Sequence, residues 1–260
     1  MENLRVIEPE GERYAADLLF LHGLWSRPAV WGRVAVGLAQ RGWRCWLLDA
    51  RVPAPAEGGG DAAVDLASWQ RRAEAAIAHL DAPPIVIGHD AGGLIALALA
   101  RAAVPRAAIA VAPLLAGTRP YIGFVQRELA RWLGTRVAPP PRSHACFRAL
   151  SAQAQTLLAA ALDTEEGRLV ASVRGAALLP GAPRVPALVV AQEADPVVPA
   201  SLAEITARGI EADVLVLPGG HWPMAEERID VWTTHLHRWI IRRAGKDLLL
   251  LRGDEDLRDD

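Results

Sequence analysis

Short unbroken apolar runs alternate along this chain with longer stretches whose apolar residues recur at helical spacing. Leu18–Leu21 and the runs 43–48, 84–87, 107–112, 187–191 and 214–217 read as buried strands. Segments 30–40, 64–80, 90–103 and 226–243 read as helices; in the second, Leu66, Trp69, Ala73, Ile77 and Leu80 fall near one face. Strands of continuous Val, Ile and Leu separated by helices predict a mainly parallel sheet with helices on both faces. The Pro- and Gly-rich stretch 50–61 reads as a loop, with Gly58, Gly59 and Gly60 at its tip.

The alternation lapses between about 117 and 183. That interval is rich in Arg and Ala, looks helical in three pieces and is interrupted by Pro139-Pro140-Pro141. It far exceeds the usual 2–6-residue connection, so a helical cap over the sheet's C-terminal edge is expected. The expected organisation is a core of 1–116 and 184–243, a helical cap of 117–183 and an acidic C-terminal tail of 244–260.

Composition narrows the function classes. The 260 residues are 52% hydrophobic and 22% charged, which excludes a mainly disordered chain. Lys and Arg number 28 against 30 Asp and Glu, so no nucleic-acid partner is expected. No apolar run approaches the ~20 residues of a membrane span, and the first nine residues lack the apolar region of a signal peptide. Cys45 and Cys146 make no disulfide framework, which fits a cytoplasmic location. No metal-ligand spacing and no phosphate-binding glycine loop is present, so neither metal nor cofactor is expected. The expected partner is a small-molecule substrate, on a monomer or homodimer.

The chemistry-bearing residues fall at the C-terminal ends of predicted strands, where an open parallel sheet places its site. Gly88-His89-Asp90-Ala91-Gly92-Gly93 joins a strand to an apolar helix. The spacing Gly88-x-Asp90-x-Gly92 is that of a nucleophile elbow with Asp where Ser is usual. Asp195 follows one later strand and His221 the last. The order nucleophile, acid, histidine is that of a hydrolytic triad. His22-Gly23-Leu24-Trp25 follows an early strand, and the Leu24 and Ala91 N–H groups are the expected oxyanion hole. Trp25, His89, Tyr121, Trp132 and Trp222 are the candidate pocket residues.

Over residues 15–243 the chain resembles the α/β-hydrolase fold superfamily. Asp at the elbow resembles the epoxide-hydrolase and haloalkane-dehalogenase branch. The sequence departs from that branch at Ala91, where Trp is usual, and at Leu24, where dehalogenases carry Asn. Epoxide hydrolases have an aromatic residue and then Pro after the His-Gly pair, also absent here. Outside the elbow the chain resembles bacterial esterase-type members with Gly-His-Ser-x-Gly-Gly.

The resemblance implies a cofactor-independent hydrolase acting on a small apolar epoxide or haloalkane. An Asp, with an ordinary pKa near 3.9, is already anionic at neutral pH and needs no base to attack an sp³ carbon. His221, oriented by Asp195, then has one main task, activating water against the resulting ester. An epoxide wants an acid, for which Tyr121 is the cap's candidate; a halide wants N–H donors, for which Trp25 and Trp132 are candidates. Absence of Trp at position 91 weighs against a halide and absence of a second cap tyrosine against an epoxide; the reading leans to an epoxide, because one well-placed acid can suffice. Two alternatives stay open: an ester, lactone or amide hydrolase with a divergent elbow, and a non-catalytic ligand-binding protein of the same fold. The plainer roles are Asp195 as a helix cap, His22 as a loop brace, His89 as packing, and His235 and His237 at the surface of the last helix.

Overall fold

The structure, a computed structural model, describes residues 3–52, 64–115, 132, 135–175 and 182–245. Among these, nine strands form: β1 (Leu4–Ile7), β2 (Leu18–Leu21), β3 (Cys45–Leu48), β4 (Ile85–His89), β5 (Ala107–Val111), β6 (Arg136–Val137), β7 (Glu165–Glu166), β8 (Ala187–Gln192) and β9 (Asp213–Leu217). Seven helices accompany them: α1 (Gly32–Ala39), α2 (Leu66–Ala78), α3 (Ala91–Arg101), α4 (Ala152–Ala161), α5 (Gly167–Gly175), α6 (Ala200–Gly209) and α7 (Ile229–Ala244).

The main sheet has the order β1-β3-β2-β4-β5-β8-β9. All of its pairings are parallel except β1 with β3. Strands β2, β4, β5 and β8 are buried at every residue, as expected of strands covered on both faces. The chain runs outward from β2 in one direction and from β4 in the other, so β2 and β4 lie side by side. Their C-terminal ends therefore bring the His22-Gly23 loop against the elbow. This is the crevice where strand order reverses.

Local sequence explains the elements that present the site. Asp65 caps α2: its carboxylate accepts from Ser68 N–H at 2.7 Å, and Ser68 Oγ accepts from Asp65 N–H at 3.0 Å. Pro28 opens the turn ahead of α1, where its missing N–H costs nothing. Along α7, Trp232, Leu236, Trp239 and Ile240 are buried on one face. Trp31, Trp43 and Trp69 are wholly buried. Each is worth at least the roughly 1.5–3 kcal/mol of a large apolar side chain taken out of water.

Three departures from the sequence reading stand out. β1 is an antiparallel edge strand; its Leu-Arg-Val-Ile run is half exposed and lacks the continuous apolar signal of a central strand. The interval between β5 and β8 contains a two-stranded ribbon, β6 with β7, as well as α4 and α5. Helix α6 lies between β8 and β9, where the sequence reading had only an unbounded helix for Asp195 to cap, and the residue at its N-cap is Pro199. The Gly58–60 tip, most of the acidic tail and Tyr121 lie outside the described residues. No helix among the described residues is long and apolar enough to cross a membrane.

Candidate active site

The elbow begins where β4 ends. Asp90 has φ 57° and ψ −117°, a strained conformation for a residue with a side chain. It persists because the surroundings fix it: Asp90 N–H donates to Val111 C=O at 3.0 Å, and Gly93 N–H returns to Asp90 C=O at 3.1 Å. The turn is possible only with glycines. A Cβ on Gly88 would lie 2.0 Å from the Gly92 carbonyl oxygen, and one on Gly92 would lie 2.5 Å from that of Leu21.

The strain aims the Asp90 carboxylate between two sets of partners. Oδ1 accepts from Ala91 N–H at 2.5 Å and from Leu24 N–H at 3.2 Å. Oδ2 faces His221 Nε2 at 3.5 Å. On its other side, His221 Nδ1 meets Asp195 Oδ2 at 2.9 Å. Asp195 Oδ1 accepts from Val197 and Val198 N–H at 2.7 and 3.0 Å, which fixes the carboxylate's orientation. The three residues expected as a triad and the two expected oxyanion donors are thus placed together, from four separate loops. Asp90 and His221 have no solvent exposure, and Asp195 has 6%.

Electrostatics follow from this enclosure. Burial pulls the His221 imidazolium down, but Asp195 and then Asp90 outweigh it, and the pKa rises to about 9. His89 goes the other way: burial and the neighbouring His221 cation push it down to about 4. His89 is therefore neutral at ordinary pH. Its Nε2–H donates to the His221 backbone carbonyl at 2.8 Å.

His89, a pocket candidate or a packing residue in the sequence reading, has no solvent exposure, and its Nε2 contact braces the histidine loop. Trp222 stands edge-on to His221, 5.5 Å between ring centroids, and stacks obliquely on His89. Trp25 is 1% exposed, and its indole N–H donates to Val137 C=O at 3.1 Å, so that donor is committed away from a leaving halide. Trp132 is 79% exposed. His22 braces its own loop: Nδ1–H donates to Gly23 C=O at 2.9 Å and Nε2 accepts from Ala50 N–H at 3.2 Å.

Several neighbours carried no sequence signal. Glu226 Oε1 accepts from Gly220 N–H at 2.6 Å, holding the loop before His221. The buried Cys146 thiol is pushed up to about 12 by burial and is close enough to Trp222, Asp195 and Asp90 to feel all three. Glu165, 1% exposed, accepts from Trp25 N–H at 3.1 Å. Glu165 and Cys146 sit far in sequence from these partners, in a segment without periodicity. No group of three or more His, Cys, Asp or Glu side chains among the described residues could hold a metal ion.

Comparison with known proteins bears on the fold. A search of curated protein sequences finds no match. Solved structures match over almost the whole chain. A monoacylglycerol lipase of Paleococcus ferrophilus is 18% identical with a TM-score of 0.69, covering 92% of this chain and 97% of its own. A soluble variant of monoglyceride lipase from Saccharomyces cerevisiae is 12% identical with a TM-score of 0.73, covering 92% and 91%. A thermophilic esterase from Thermogutta terrifontis is 20% identical with a TM-score of 0.65, covering 93% and 94%. At such identities these likenesses concern the fold. The alpha/beta hydrolase family model matches residues 18–232, a span that includes the elbow, Asp195 and His221, and the chain belongs to that family.

Proposed function

We propose that the protein is a hydrolase with Asp90 as its nucleophile, acting on a small apolar molecule with an electrophilic sp³ carbon. Family membership supports the hydrolase class. The Asp90 contacts support the finer reading. Both oxyanion donors are already bound to Asp90 Oδ1 in the resting protein. A serine-type esterase needs those donors free for the substrate's carbonyl oxygen. Here the nucleophile's own carboxyl oxygen fills the hole, which suits a reaction in which the tetrahedral centre forms on the enzyme.

In the first step Asp90 Oδ2 attacks the carbon. A carbon–oxygen bond forms as the bond to the leaving group breaks, and the leaving group takes the electron pair. In the second, His221 Nε2 removes a proton from water as the water oxygen adds to the Asp90 carboxyl carbon. The oxyanion that develops on Oδ1 is held by Leu24 and Ala91. Collapse expels the product alkoxide, which takes the proton from His221 and leaves Asp90 as the carboxylic acid. That acid then gives its own proton to the freed His221 Nε2, which passes it to solvent, and the carboxylate is restored. Asp195 orients the ring throughout. Before alkylation the Asp90 charge favours imidazolium; esterification removes that charge and makes neutral, basic His221 more accessible. Between the two leaving groups, the engaged indole of Trp25 favours an epoxide over a halide.

The test is to trap the intermediate. His221→Gln leaves the carboxylate and removes the base. With styrene oxide or bromobutane, intact-protein mass should show about one adduct per chain, mapped to Asp90, without steady turnover. Asp90→Asn should show none. Normal steady turnover in His221→Gln, or failure of both probes to modify Asp90, would refute the assignment.

A further inference from the structure

Trp25 sits at φ 59°, in the left-handed region that a bulky side chain rarely adopts. Among the described residues, groups from the insertion between β5 and β8 hold it there. Its N–H donates to Glu165 Oε2 at 3.1 Å, its C=O accepts from Asp163 N–H at 2.9 Å, and its indole N–H donates to Val137 C=O at 3.1 Å. The peptide that carries the Trp25 N–H shares the Leu24 Cα with the peptide that carries the Leu24 N–H. Fixing one plane restricts the other, and the Leu24 N–H is the one that binds Asp90 Oδ1.

The Glu165 carboxylate is itself held in place. Arg51 Nε lies 3.8 Å from its Oε1, and Arg51 Nη2 donates to the adjacent Thr164 C=O at 2.5 Å. Burial raises the Glu165 pKa, opposed first by Arg51 and then by His22. A carboxyl group taken out of water this completely is costly unless it is paired. Its pairing is spent on a backbone N–H one residue from the oxyanion hole.

We propose that Glu165 is a positioning residue for the oxyanion hole, holding Leu24 N–H on Asp90 Oδ1 through Trp25. This rests on Asp90 as nucleophile, and it predicts unequal effects on the two steps. In the first, negative charge leaves Asp90, so donors at Oδ1 stabilise the starting carboxylate at least as well as the transition state. In the second, charge develops on Oδ1, so the same donors stabilise the transition state. Displacing Leu24 N–H therefore spares alkylation and slows hydrolysis. A general loosening of the fold would slow both.

The experiment compares Glu165→Ala, Glu165→Gln and Arg136→Ala, with styrene oxide as the probe and intact-protein mass followed through a single turnover. Arg136 ties the same ribbon through Glu166 and Thr164 and is half exposed, so its variant is a control for ribbon strength. Glu165→Ala should alkylate at the parent rate or faster and hydrolyse at least about 10-fold slower, short of the ~10²–10³ for outright loss of an oxyanion donor. Gln keeps an acceptor oxygen for Trp25 N–H and should restore hydrolysis; Arg136→Ala should match the parent. Equal slowing of both steps in Glu165→Ala, or a Gln variant as slow as Ala, would overturn the role. Amide hydrogen exchange over residues 22–26 gives a readout independent of turnover. It should rise in Glu165→Ala and return in Glu165→Gln; unchanged exchange overturns the positioning role. Raised exchange with no Asp90 adduct in any protein would uphold the positioning and instead reject Asp90 as nucleophile.

Discussion

Stability should peak near pH 6.5, because two buried histidines are displaced from that value in opposite directions. His221 rises to about 9 in the folded protein, between two carboxylates. A raised pKa means the folded state binds the proton more tightly. Its contribution is fully present below the unfolded value near 6.5 and is lost as pH rises from there through about 9. His89 falls to about 4 under burial. Below 6.5 the unfolded chain takes up a proton that the folded protein refuses, so stability declines as pH falls from 6.5 toward about 4. Each displacement spans two to three pH units at about 1.36 kcal/mol per unit, so each arm amounts to on the order of 3 kcal/mol. Urea unfolding at fixed temperature, from about pH 4 to pH 9.5, reads both arms provided the denaturant slope is constant. Asp90→Asn removes one of the carboxylates facing His221 and should shorten the alkaline arm, and NMR of the imidazole should show the lowered pKa. His89→Gln should flatten the acid arm. A parent profile level between pH 6.5 and 9, or an alkaline arm unchanged in Asp90→Asn, would refute the electrostatic account.

Other consequences are simpler to check. Gly23→Ala places a Cβ 2.6 Å from Asp90 Cβ and 3.0 Å from His89 Nδ1. Neither neighbour can yield without disturbing the elbow, so a loss of about 1–3 kcal/mol in urea unfolding is expected, with slower Asp90 alkylation. Asp90→Ser frees the Leu24 and Ala91 N–H groups for a substrate carbonyl; it should lose alkylation and gain hydrolysis of p-nitrophenyl acetate above background. Continued reaction with alkyl electrophiles in that variant would count against the carboxylate. Cys45 and Cys146 are both free and buried, and burial holds both thiols well above their ordinary pKa. Neither should react with a thiol reagent in the native protein, and both should react in urea; fast native labelling would contradict that enclosure.

The sequence by itself determined the parallel strands of the main sheet and the order in which the candidate site residues follow them. Apolar runs such as Leu18–Leu21 and Ala107–Val111 could be placed because a strand covered on both faces must be apolar at every position. The elbow could be placed because its glycines are a local requirement: no side chain fits at Gly88 or Gly92. Asp90, Asp195 and His221 followed from their order after strands. Only the tertiary structure decided what these groups do to one another. That His89 holds the His221 carbonyl, and that the Trp25 indole is taken by Val137, depends on contacts across 132 and 112 residues of chain. β1, β6 and β7 were silent for the same reason: their pairing rests on backbone hydrogen bonds to distant partners, which every residue but proline can make and which leave no pattern in side-chain polarity. Glu165 is the clearest case. In sequence it is one acidic residue in a polar stretch, and only the folded chain places it against the N–H of Trp25, next to the Leu24 N–H that binds Asp90.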